Sequence, residues 1–112
     1  GDGFEQTGWV LVYLHVDYAS NYQIGDTVSQ GQQLGHPSCL GGTSTGTHVH
    51  IARKYNGEWI GAAGPVPFVL GGWAAEWDGV CYQGRLLREG DVVTACTCGN
   101  SASRIARGAG DP

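Results

Sequence analysis

The chain has 112 residues, four histidines, four cysteines, twenty glycines, no methionine and a formal charge of −4, which bounds it to about one small domain. The acidic balance and the lack of a basic stripe argue against a nucleic-acid partner. No apolar run reaches the roughly 18 to 20 residues of a membrane span. Glycine is costly inside helices and no long amphipathic run of helix formers is present, so an all-β chain with many turns is expected.

The segment GWVLVYLHV, residues 8–16, is rich in β-branched and aromatic residues, the pattern of a strand buried on both faces. Period-two alternation puts Trp9, Leu11, Tyr13 and His15 on one face and Val10, Val12, Leu14 and Val16 on the other. The stretch IGDTVSQGQQLG reads as short extended pieces broken by glycine turns. In GHPS, His36 reads as a turn residue. Further on, THVHIARKYNGEWIG carries the strongest hairpin signal, because Asn56-Gly57 suits a type I′ turn, whose two central positions both need positive φ. The prolines of PVPFVLGGW place it at a sheet edge or in a covering loop.

A second hairpin is expected in VCYQGRLLREGDVVTACTC, turning at Glu89-Gly90. With a two-residue loop, Arg88 faces Asp91, and counting outward sets Cys81 opposite Cys98, leaving Cys39 for Cys96. Such bridges belong to an oxidising compartment, and the alternative is four thiols or metal ligands in a reducing one. Cys96-x-Cys98 is neither the Cys-x-x-Cys of zinc ribbons nor, without a βαβ pattern, a thiol redox motif. The tail GNSASRIARGAGDP is small and polar. The aromatic set Trp59, Phe68, Trp73, Trp77 and Tyr82 is read as completing a small core, with a carbohydrate-stacking or peptide-binding surface as the alternative.

In GGTSTGTHVH, residues 41–50, His48 and His50 are two apart and share a face if the segment is extended. Imidazole is a common zinc ligand, but a catalytic zinc site usually takes three protein ligands and a water. This stretch resembles the last motif of the lysostaphin-like and LasA-like zinc endopeptidases. WVLVYLHV is similar to the family's preceding strand, closed by Tyr-x-His, and IGDTVSQGQQLGHPS to its intervening Gly-Asp-x-Val and Gly-Gln-x-Leu-Gly. The three motifs follow in order over about residues 8 to 60.

The resemblance implies an all-β fold, an antiparallel sheet of the lysostaphin-like type with an added C-terminal β-hairpin and little or no helix. Residues 1–70 would be the C-terminal half of a peptidase domain, and residues 71–112 a hairpin extension and tail. It implies zinc held by His50, with His15 and His48 as catalytic residues beside the metal, in a secreted bacterial hydrolase whose substrate class is the peptide cross-link of peptidoglycan. The family's His-x-x-x-Asp motif, which supplies the other two ligands, is absent from GDGFEQTG. No signal peptide is visible, and the abrupt start leaves room for an upstream part that has been removed. A strand as apolar as WVLVYL, deprived of a neighbour, becomes an adhesive edge, so pairing with a missing N-terminal segment or with identical copies is expected. The alternative to an enzyme is a non-catalytic, peptidase-derived module that assembles into an extracellular oligomer or filament through that edge.

Overall fold

The computed structural model describes residues 2–18, 22–95 and 103–111. The described residues hold β-strands and no helix. The strands are β1 (Trp9–Leu14), β2 (Val16–Tyr18), β3 (Gly35–Pro37), β4 (His50–Tyr55), β5 (Glu58–Trp59), β6 (Val69–Leu70), β7 (Trp73–Glu76), β8 (Arg85–Arg88) and β9 (Asp91–Thr94). Every pairing between them is antiparallel, as the sequence leads one to expect. The chain divides into two compact units, Gly1–Ile60 and Gly61–Pro112.

In the first unit the strand order is β1-β4-β5. The β4–β5 hairpin turns at Asn56-Gly57 with φ of 49° and 86°, the two positive values of a type I′ turn. The same asparagine ties the turn to the start of β1: its Oδ1 accepts the Gly8 N–H at 2.8 Å, and its own N–H donates to the Gly8 carbonyl at 2.9 Å. From there β1 pairs with β4 along its whole length, from Trp9 opposite Tyr55 to Leu14 opposite His50.

Burial of β1 differs from the expectation of a strand covered on both faces. Val10 and Val12 are half-buried, whereas Trp9 and Leu11 are 54% and 51% exposed. The Trp9 ring lies 4.9 Å from that of Tyr55 and 5.6 Å from the Arg53 guanidinium. Nothing among the described residues covers the rest of that face, and β1 has β4 on one side and no strand on the other. A continuous apolar run reports a strand that needs two covered faces, and the cover is not supplied by these residues.

His15 departs from the strand as well. Its φ is 59°, so the row Trp9, Leu11, Tyr13 ends before it. The chain turns there out of the first sheet and enters a second one, β2–β3, with Val16 opposite Pro37 and Tyr18 opposite Gly35. Gly35 has no alternative: a Cβ on it would stand 2.2 Å from the Asp17 carbonyl oxygen. Between residues 22 and 34 the expected extended pieces are replaced by two tight turns, closed by Asp26 N–H to Gln23 and Gln32 N–H to Ser29. His36, expected in a turn, sits in β3 opposite Asp17 and is exposed.

The second unit is a four-stranded meander in the order β6-β7-β8-β9. Both of its two-residue loops repeat the type I′ solution, Gly71-Gly72 at φ 55° and 79° and Glu89-Gly90 at 47° and 94°. Arg88 faces Asp91, the register that counting from the sequence gives. β6, next to the prolines, is an edge strand. Trp73 is buried at 6% exposure beneath the Arg88 guanidinium, 4.6 Å from its ring, and Arg88 also holds the Asp111 carboxylate at 2.5 Å.

Of the aromatic set read as core, Trp73 alone is fully so. Phe68 is half-buried, while Trp59, Trp77 and Tyr82 are 63%, 60% and 86% exposed, because short strands on thin sheets offer them no second layer. Cys39 and Cys81 are exposed and form no disulfide with each other or with any other described residue. Their intended partners, Cys96 and Cys98, lie outside the described residues.

Candidate functional site

His15 and His48 come together through three backbone decisions. The first is the end of β1. Left-handed φ is unfavourable for a residue with a Cβ, and at His15 it swings the imidazole out of the strand's alternation and into the protein, where it is 7% exposed. There its Nδ1 donates to the Leu40 carbonyl at 2.8 Å. A carbonyl can only accept, so Nδ1 carries a proton, and the neutral tautomer this selects has its free lone pair on Nε2.

The second is the loop after Leu40. Gly41 and Gly42 have φ of 78° and 141°, and the position a Cβ would take on Gly42 is 3.6 Å from His15 Cε1. These glycines let the backbone curl against the ring and aim the Leu40 carbonyl at it. The third is the Ser44-to-His48 turn. Ser44 Oγ donates to the Gly46 carbonyl at 2.6 Å, and His48 Nδ1 donates to that carbonyl at 2.8 Å and stands 3.3 Å from Ser44 Oγ. His48 is therefore held in the same tautomer as His15, again with Nε2 left over.

An isolated bridge pairs His48 with Ser38, while the Ser38 N–H donates to the His15 carbonyl at 2.7 Å. The ends of both histidine segments are thus sewn to the same residue. The outcome is a ring-to-ring approach of His15 and His48, centroids 4.5 Å apart and planes at 45°, with two oriented Nε2 atoms. Each can take a proton at Nε2 from a bound peptide or water, and the ring that has taken one can then give it back.

His50 is placed differently. It opens β4, exposed, opposite Leu14, so it is one register step from His15 on one strand and two residues from His48 on the other. His48 itself precedes β4, so the two do not sit in one regular strand. No group of three or more His, Cys, Asp or Glu side chains suited to a metal ion occurs among the described residues. A protein zinc site needs three or four such donors, so the described residues do not by themselves fit a complete zinc centre. His36 stays apart, exposed beside Gln33 at 3.4 Å.

The carbonyls of Leu40 and Gly46 and the Ser44 hydroxyl, which decide the tautomers, are not legible in the residues themselves. The signal available for them was the glycine and hydroxyl content of GGTSTG, which marks a loop but not which carbonyl reaches which ring.

The chain is similar to Protease LasA from two strains of Pseudomonas aeruginosa, 26% identical over 98 residues in one and 29% identical over 101 residues in the other. Each match covers 80% of this chain and 23% of the relative. The chain thus spans about a quarter of the length of the curated relatives it matches, and the aligned part is longer than residues 8–60, which carry the motifs. No protein-family model matches the chain, and no solved structure matches it.

Proposed function

We propose that this chain is part of a lysostaphin-like zinc endopeptidase domain of a secreted bacterial hydrolase acting on the peptide cross-links of the cell wall. In this reading His15 and His48 are the acid–base pair, and His50 supplies one zinc ligand of a set completed by residues outside those described. The observation that carries it is the approach of the His15 and His48 rings to 4.5 Å, each with Nδ1 committed to a backbone carbonyl. The likeness to a protease over most of the chain supports the same reading.

The gene-encoded protein tests it. A His-x-x-x-Asp is expected within about a hundred residues upstream, an ordinary domain length. Protein that includes it should bind one zinc per chain and cleave cell-wall cross-links, and His50→Ala should lose metal and cleavage together. His48→Ala should keep the zinc and lose the cleavage. Absence of that motif, or zinc uptake indifferent to His50, overturns the assignment.

The second reading, a non-catalytic module that assembles with copies of itself, is favoured by the open edge of β1 and the exposure of Trp9 and Leu11. Unpaired strand edges with apolar faces template association. Sedimentation of the metal-free chain decides it: concentration-dependent association abolished by Leu11→Lys supports assembly through β1, and a monomer at every concentration excludes it.

A further inference from the structure

In the second unit, residues 77–84 leave the end of β7 and return to the start of β8. Gly84 permits the return: its φ is 145°, and a Cβ there would stand 2.7 Å from the Glu76 carbonyl oxygen. Folded this way, the loop and the strand ends enclose a cleft of about 860 Å³ whose walls include Trp77, Asp78, Tyr82, Gln83, Glu76 and Arg85, within the size range of small-ligand sites.

Two features of its walls need a reason. The Trp77 indole N–H donates to the Val80 carbonyl at 2.8 Å, which holds the ring in one orientation while 60% of the residue faces water. Tyr82 takes a φ of 62°, unfavourable for a residue with a Cβ, and is 86% exposed. Neither ring serves a core.

The charges narrow the ligand. Arg85 is paired with Glu76 at 2.9 Å, and Asp78 adds a further negative charge, so the cleft has no surplus cation for a phosphate or carboxylate. We infer that the cleft between Trp77 and Tyr82 binds a linear saccharide. The C–H face of a pyranose carries partial positive charge and stacks on the negative face of an aromatic ring. The carboxylates of Glu76 and Asp78 and the Gln83 amide are the acceptors and donors that hydroxyls require. This site goes beyond the proposed peptidase reading and uses none of its histidines, so either can fail without the other.

The test is a titration of the full chain, followed by tryptophan fluorescence and by amide chemical shifts, with three probes: N-acetylchitotetraose, cellotetraose and pentaglycine. Saturable binding of one or both sugars is expected, with shifts gathered in residues 76–85; their ratio tells whether an N-acetyl group is read. Tyr82→Gly removes the ring at a position whose positive φ glycine takes without strain, so it keeps the fold and should weaken binding about tenfold or more, the loss of one stacking contact. Trp77→Ala should abolish binding, and Trp59→Ala, in the other unit, should leave it unchanged. Failure of both sugars to bind, sugar affinity unmoved in Tyr82→Gly, or shifts in this cleft with pentaglycine alone overturns the proposal.

Discussion

His15 occupies a conformation that costs about 1–2 kcal/mol in a residue with a Cβ, and it is retained because the ring it places is nearly buried and bonded to Leu40. Removing that ring leaves the strained backbone with nothing to offset it. We expect His15→Ala to lower unfolding free energy by about 1–3 kcal/mol and His48→Ala, at an exposed position, by less than about 1 kcal/mol, both read from urea denaturation. His15→Asn should fall between, because asparagine tolerates left-handed φ. At Gly35 the constraint is steric. With 2.2 Å between a new Cβ and the Asp17 carbonyl oxygen, Gly35→Ala must push β3 away from β2, at a cost of about 1–3 kcal/mol. A lowered urea midpoint with an unchanged slope is the expected sign.

Among the elements, the β4–β5 hairpin carries the first unit. Its turn residue Asn56 does two jobs, accepting left-handed φ and bonding the Gly8 N–H from its side chain. Asn56→Ala forfeits both and should cost about 2 kcal/mol, with amide exchange at Gly8 and Trp9 accelerating most. Asn56→Asp keeps a side-chain acceptor and a tolerance of positive φ, and should cost less. β1 depends on this hairpin on one side and on nothing described on the other, which makes its amides the place where local opening begins.

For the molecule as a whole, burial is thin. The buried apolar side chains among the described residues are Val16 in one unit and Trp73 in the other, and specific polar contacts supplement both. In the second unit the last described residues are fastened by Asp111, which accepts the Gly108 N–H at 2.6 Å and the Arg88 guanidinium at 2.5 Å. The Gly108 hydrogen bond first, and the Arg88 charge with it, hold this carboxyl below its ordinary pKa. A carboxylate with a lowered folded pKa contributes stability at pH above the ordinary aspartate range, and that contribution is lost as pH falls from that range through the lowered value. Hydrogen exchange at the Gly108 amide should therefore speed up in acid over that window beyond the intrinsic pH trend. In Asp111→Asn it should be fast at neutral pH, with the acid-dependent excess gone.

Much of this was legible in the residues. Asn56-Gly57 announces its turn because both residues tolerate positive φ, and at Glu89-Gly90 the glycine alone gives the signal; a two-residue loop then sets register by counting. The run from Trp9 to Leu14 announces a strand by its β-branched and aromatic content, and the order of the three motifs is simply read off. What the sequence could not decide was everything that depends on a partner distant along the chain. The face of β1 left uncovered follows from which strands exist to pack on it, and the exposure of Trp77 and Tyr82 from a loop returning over Gly84. The break at His15 is chosen by the need to pass from one sheet to another, and its tautomer by a carbonyl 25 residues away. Local preference is encoded residue by residue, but the aim of a side chain is a property of the enclosure, and only the folded chain supplies that.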